Sequence, residues 1–240
     1  MEEDFVSDRL QGCSLPEFVG TAIGDTVGIV IANLDETLRE KIQLEQRFKS
    51  IGIVSARTGG GTHAMAADTA VKATNTEIAL IELCRDTKGG AGHGITVIFA
   101  SEDVMDSRRA VEIMLEELQG CFGNVYTCDA GHVEVHYTAR ASYALNQSFD
   151  APLGKAFGIT VGAPAAVGMI MADVAMKTAN VEMNKFASST HGTCFTNEII
   201  ITFSGDADAV KQSLVAAREA GLSVLRGMGQ NPIPMGEPTW

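Results

Sequence analysis

The sequence predicts a mixed α/β (α+β) protein made of two tandem copies of one unit, each a small sheet with flanking helices. Three observations carry that prediction. First, Ala67-Asp68-Thr69-Ala70-Val71-Lys72-Ala73-Thr74-Asn75-Thr76-Glu77 returns as Ala172-Asp173-Val174-Ala175-Met176-Lys177-Thr178-Ala179-Asn180-Val181-Glu182, with Asp, Lys, Asn and Glu each displaced by 173 − 68 = 105 positions. Second, the repeat extends upstream: Lys49-Ser50-Ile51-Gly52-Ile53-Val54 is matched by Lys155-Ala156-Phe157-Gly158-Ile159-Thr160, displaced by 155 − 49 = 106. Third, strand-like and helix-like patterns alternate through both halves, which requires a sheet with helices packed on it. Two such units fill most of the 240 residues, and a unit of about 105 residues is long enough to bury a core of its own.

Residues 1–16 read as a tail, in which Phe5, Val6 and Leu10 form one short apolar stripe, a frayed terminus or a docking peptide. The first unit spans 17–123. Val27 to Ala32 is a buried strand, Leu34, Leu38 and Ile42 mark a helix, and Lys49 to Val54 is the next strand. In the repeated helix, Asp68 precedes Lys72 by one turn, acid toward the positive end and base toward the negative end of the backbone dipole. Asn75 and Asn180 stand where a left-handed residue can end that helix. Glu77 to Glu82 then reads as a strand, Asp86-Thr87-Lys88-Gly89-Gly90-Ala91-Gly92-His93-Gly94 as a loop, and Ile95 to Phe99 as a strand; Val104, Val111, Leu115 and Leu118 form the stripe of a closing amphipathic helix.

The second unit, 124–228, repeats this order. Val133 to Tyr137 is its first strand, Ala141, Leu145 and Phe149 its short helix, and Val181 to Phe186 the strand after the repeated helix. The loop Ser188-Ser189-Thr190-His191-Gly192-Thr193-Cys194-Phe195-Thr196-Asn197 leads to the strand Ile199 to Phe203, and Val210, Leu214 and Ala217 lie on the closing helix. The last twelve residues, 229–240, hold three prolines and cannot continue a helix. Trp240, the single tryptophan, suits a strap packed on its own domain.

Composition excludes several classes. Eighteen Lys plus Arg against thirty Asp plus Glu give a formal charge of −12, which opposes a nucleic-acid partner. Met1-Glu2-Glu3-Asp4 is acidic where a secretory signal is basic, and no apolar run approaches the roughly 20 residues of a membrane span, so a cytosolic protein with no membrane partner is expected. The five cysteines, Cys13, Cys84, Cys121, Cys128 and Cys194, include no Cys-x-x-Cys pair and read as reduced thiols.

Nor does the chain show catalytic machinery. The glycines of residues 89–94 lead into a strand, whereas a phosphate cradle leads into a helix N-terminus. His132 and His136, four apart on a strand, stand about 13 Å from each other, too far to share one zinc ion. His63, His93 and His191 fall in or near loops without a nucleophile and acid at a recognisable spacing. Cys194 could meet its copies around a symmetry axis and hold a metal cluster, but a plain buried thiol is the simpler reading. No catalytic residue, metal or cofactor is expected. What remains is the Asp-x-x-x-Lys-x-x-Asn-x-Glu pattern, kept in both copies while its surroundings drift, as if both units used that surface for one purpose.

Those residues resemble the shell proteins of bacterial microcompartments. Ala172 to Glu182 is similar to the signature helix end of that domain, as is Ile201-Thr202-Phe203-Ser204-Gly205-Asp206-Ala207-Asp208-Ala209-Val210. In the unpermuted family a strand ending in Pro-Arg-Pro closes the domain; here its counterparts, Val27 to Ala32 and Val133 to Ala139, precede the helix. Both units therefore resemble circularly permuted domains, each a small mainly antiparallel sheet with flanking helices. Residues 17–28, 85–94 and 137–145 resemble the B-type shell proteins of propanediol and ethanol utilisation compartments.

The resemblance implies a homotrimer that imitates a hexagon, tiles with other shell proteins and encloses enzymes, which the N-terminal tail could address. It places Lys72, Lys177, Asn75 and Asn180 at tiling edges. Arg140 matches the arginine of the edge motif, whereas Asn33 stands at the first-unit counterpart. It places the loops Asp86 to His93 and Ser189 to Cys194 at pores for small polar metabolites such as alcohols, diols and aldehydes. The alternative from another class is a trimeric regulator that senses a small molecule between its subunits.

Overall fold

The computed structural model describes residues 17–84, 93–191 and 196–238. The first half runs β1 (Glu17–Ala22), β2 (Thr26–Ile31), α1 (Glu36–Lys41), β3 (Ser50–Ala56), α2 (Gly60–Ala73), β4 (Glu77–Cys84), β5 (Gly94–Ser101) and α3 (Val104–Phe122). The second runs β6 (Val125–Cys128), β7 (Gly131–Thr138), α4 (Tyr143–Phe149), β8 (Ala156–Ala163), α5 (Ala165–Thr178), β9 (Val181–Ala187), β10 (Ile199–Gly205), α6 (Ala207–Gly227) and the two-residue β11 (Ile233–Pro234).

Each half builds its own sheet, in the orders β1-β2-β3-β5-β4 and β11-β6-β7-β8-β10-β9. Every pairing is antiparallel. With β11 set aside the two orders are the same, and the likeness reaches the irregularities. The β4–β5 register skips between Ile78 and Leu80, leaving Ala79 as an extra residue. The β9–β10 register skips Asn184 in the same way, 184 − 79 = 105 positions later. A bulge kept at one repeat position is a built feature of the unit.

Local chemistry explains the elements. Asp103 caps α3, its Oδ1 accepting the Met105 N–H at 2.9 Å, a contact of the kind that contributes about 1 kcal/mol. α3 lies directly on the sheet because β3 offers no side chain there: a Cβ at Gly52 would stand 2.6 Å from Val111 Cγ2 and 2.7 Å from the Ser107 carbonyl oxygen. In the second half α5 approaches β8 at Gly162 and Gly168, whose backbones leave no room for a Cβ on either. Phe99 and Phe203, at equivalent places of β5 and β10, are both fully buried.

Two strands lie outside the apolar pattern. β1 and β6 are short partners of β2 and β7; β1 has no buried residue and joins β2 through Gly24 and Asp25, both at positive φ (83° and 53°), as a tight hairpin turn requires. Two expectations need correction. Neither Asn75 nor Asn180 is left-handed: α2 and α5 end at Thr74 and Ala179, both extended (φ −137° and −146°), because the next strand starts within three residues and the cap must already point along it. His63 lies not in a loop but in the first turn of α2, fully buried.

One core crosses the middle of the chain: Val54, Ala66 and Phe99 of the first half belong to the same cluster as Ala144, Leu145 and Phe149 of α4. A second core, around Val133, Met171, Phe203 and Leu214, is confined to the second half. A third, around Phe48, Ile51 and Ile98, lies on the face of β3 away from α3. Beyond α6 the chain adds β11 to the edge of β6, and Met235 donates its N–H to the Val125 carbonyl at 2.8 Å, so this segment is a strap; Trp240 is outside the described residues. No helix among them is long and apolar enough to cross a membrane.

Candidate functional site

The two copies of the repeated motif share a spacing but differ in surroundings. Asp68 is buried beneath the second half: its Oδ1 accepts the Ser142 backbone N–H at 2.7 Å and the Ser142 hydroxyl, and its Oδ2 accepts from Lys72. Lys72 Nζ also donates to Thr138 Oγ1 at 3.2 Å. Ser142 is the N-cap of α4 and makes no side-chain cap bond, so the carboxylate of one half closes the helix end of the other. In the second copy, Lys177 Nζ reaches Asp173 Oδ2 at 2.7 Å, with the two side chains 73% and 55% exposed. An ion pair so open to water contributes little by itself.

The same contrast extends over the helices. α4 buries Ala144, Leu145, Ser148 and Phe149 against the first half, whereas its repeat counterpart α1 buries nothing. Correspondingly, the second-half face equivalent to the one α4 covers shows Met169 (49% exposed), Ile170 (45%) and Met183 (39%) to solvent. A unit whose receiving face is filled in one copy and bare in the other, and whose inserting helix is seated in one copy and bare in the other, has both ends of a junction unused.

The filled junction encloses a cluster of ionisable groups. Glu134 Oε1 and His136 Nε2 are 2.6 Å apart, and Thr62 donates to Glu134 at 3.3 Å. The carboxylate fits because position 61 is glycine: a Cβ there would lie 2.5 Å from Glu134 Oε1. Beside it, His93 Nδ1 and Glu198 Oε1 are 2.7 Å apart, and His132 Nε2 lies 3.6 Å from Glu198 Oε2. All five ionisable side chains are almost completely buried. Burial alone would raise the Glu198 carboxyl, but the hydrogen bond from His93 and the charges of His93 and His132 outweigh it and hold the group below the usual carboxylate range. Burial pushes His132 down, with Glu134 and Glu198 opposing and His93 adding to the shift.

His63 is lowered to about 4 by burial, against the Gly59 carbonyl and Glu134. Neutral, it bonds Gly59 O through Nδ1 and the Thr26 hydroxyl through Nε2. The unfolded chain takes up a proton on this ring below about pH 6.5, which the folded chain refuses down to about 4. Its contribution is therefore complete above about pH 6.5 and shrinks as pH falls toward 4, by on the order of 3 kcal/mol. His132 acts in the same direction, and the stabilisation from ionised Glu198 is likewise lost in acid. Urea unfolding between pH 7 and 4.5 should show this fall, and His63→Gln, which cannot take up the proton, should flatten the slope.

Against known proteins, residues 156–234 match the BMC domain family. The match starts at β8 although β6 and β7 of the same sheet precede it, as a circular permutation requires. Over 222 residues the chain is 58% identical to the bacterial microcompartment shell protein PduB of Citrobacter freundii, covering 92% of this chain and 82% of that protein. The chain belongs to the bacterial microcompartment shell proteins. The crystal structure of EtuB from Clostridium kluyveri matches this shell protein at TM-score 0.91 and 59% identity, over 95% of this chain and all of that one. That of a trimeric PduB matches at TM-score 0.90 and 44% identity, over 94% and 100%. The family is structural, and this member is a wall component, not an enzyme.

The expected edge and pore residues of the shell protein are unevenly placed. Lys72 and Arg140 come together from opposite halves, lining an open groove of about 660 Å³ with Ser142, Tyr143 and Leu153. Asn180 lines a different groove, of about 410 Å³, with Lys155 and Asp206; Lys177 stands apart on α5. In the second loop Ser189, Thr190 and His191 are exposed at a tight turn closed by Ser188 N–H to His191 O at 2.8 Å, and Ser189 Oγ donates to Thr196 O at 2.7 Å. Asp86, Thr87, Lys88, Gly89, Gly90, Ala91 and Gly92, like Gly192, Thr193 and Cys194, lie outside the described residues. His93, the last residue of the first loop, turns inward to Glu198. Cys84, Cys121 and Cys128 are free thiols. Among the described residues no group of three or more His, Cys, Asp or Glu side chains is arranged to hold a metal.

Proposed function

We propose that three copies close into a ring of six near-equivalent units, 17–123 and 124–228 in each chain, with α1 and β2 of one chain covering the bare α5–β9 face of the next. The observation that carries this is the difference in burial between Asp68 and Asp173, one motif with and without its cover. A head-to-tail interface that closes on itself gives a ring, and a solved relative at 44% identity is described as trimeric. Such rings tile with one another and with other shell proteins into the wall of a microcompartment in the bacterial cytoplasm, their edges formed by Lys72, Lys177, Arg140, Asn75 and Asn180.

Openings rimmed by Asp86 to Gly92 and by Ser189 to Cys194 pass small polar metabolites, the alcohols, diols and aldehydes that hydroxyls and backbone amides can solvate in place of water. His93 serves from beneath, fixing the end of the first loop to Glu198. Residues 1–16 are available to lumen enzymes. Electron microscopy and sedimentation of the purified protein test the assembly together: three-chain particles that grow into sheets support it, and a discrete particle that never tiles removes it.

A further inference from the structure

The two kinds of edge on such a ring carry unlike charge. At the junction inside the chain, the edge presents Lys72 and Arg140, with Ser142 and Tyr143 at the N-cap and first residue of α4; Asp68, buried, is the counter-charge to Lys72, and no acid is among the described residues lining the groove. At the junction between chains, the corresponding edge presents Lys177 and Asp173 from α5 of one copy, with Asn33, Asp35 and Glu36 from the next. Asp35 and Glu36 are the N-cap and first residue of α1, the places held by Ser142 and Tyr143 in the repeat. The lysines and the α-helical aspartates cancel in the comparison. Arg140 becomes Asn33, Ser142 becomes Asp35 and Tyr143 becomes Glu36; Arg39, paired with Glu36 at 3.1 Å, offsets one of the two added acids, and with the lost arginine the inter-chain edge is left net acidic.

The geometry points to a rule for how tiles meet: the cationic edge holding Lys72 and Arg140 binds the acidic edge holding Asp35 and Glu36 of a second ring, and not its own like. This deepens the tiling reading and rests on it. In a three-fold ring with six alternating edges, each edge lies opposite one of the other kind. Rings laid down by translation alone therefore set cationic against acidic edges everywhere, whereas a neighbour turned by 60° would set like against like. Unlike edges attract and like edges repel at these exposed sites, within a screening length of about 8 Å at physiological salt. The sheet is then a lattice of rings in one orientation, and its edges are not interchangeable as those of a true hexamer are.

A charge-swap series tests the rule. Arg140→Glu makes the first edge acidic, and Glu36→Arg, which also frees Arg39 from its ion pair, makes the second cationic; both side chains are exposed and neither is a cap. By electron microscopy each single variant should lose sheets at a concentration where the unaltered protein forms them, while three-chain particles persist in sedimentation. Arg140→Glu combined with Glu36→Arg in one chain should restore sheets. Restoration requires unlike edges to meet, because like edges in the double variant repel as they do in the singles. Singles that still form sheets, or a double variant that does not recover them, would overturn the rule and leave tiling intact. An unaltered protein that forms no sheets would remove both.

Discussion

Asp68→Ala should destabilise the folded chain by about 3 kcal/mol, most of it from leaving the part-buried Ser142 backbone N–H and hydroxyl without their acceptor. The Lys72 contribution is smaller, since that ammonium is more than a third exposed and screened by water. Asp173→Ala removes the same residue of the same repeat, yet it should change the unfolding of a dilute, dissociated chain by no more than about 0.5 kcal/mol. Its effect should surface instead in the protein concentration needed to hold three chains together, because stability in an oligomer is tied to concentration. Urea unfolding and sedimentation on both variants measure the two numbers. Equal effects on the isolated chain would mean that the difference in burial has no energetic meaning.

Glu198→Ala should be comparably severe, about 3–5 kcal/mol, because it leaves His93 and His132 buried without the carboxylate they both face. Glu198→Gln, which keeps an acceptor oxygen for His93, should recover part of the loss. The position matters for more than stability. His93 ends the first loop and Glu198 follows the second, so this one pair ties together the exits of both segments proposed to rim the openings. Faster amide exchange at residues 93–94 and 196–199 in the alanine variant would report that the tie is broken. Exchange unchanged there would confine the role of Glu198 to the core.

How legible all this was in the sequence depended on whether a feature was local and repeated. The helix carrying Asp68 and Lys72 was readable because its copy appears 105 positions later, and β3, β5, β8 and β10 because they are continuous apolar runs. β1 was missed because an edge strand in contact with water needs little apolar content; the Gly24-Asp25 pair, residue types that accept positive φ, was the signal for its hairpin. The cap at Asn75 was misjudged because residue type alone does not say how soon the next strand starts. The ionisable cluster could not be seen at all. Thr62 meets Glu134 across 72 positions and His93 meets Glu198 across 198 − 93 = 105, and no local pattern encodes such a meeting. An acid between two valines, Val133-Glu134-Val135, was the one hint that a carboxylate would be buried there.

The most direct test of ring closure is a cross-link between the two bare faces. In the filled junction Asp68 meets Ser142, so in the open one Asp173 should meet Asp35 of another copy. A chain carrying Asp35→Cys and Asp173→Cys, oxidised and run without reductant beside each single variant, should give a covalent product that stops at three chains, about 76 kDa from a chain of 25.4 kDa. A product that remains at one chain, or a ladder that continues past three, would contradict the account.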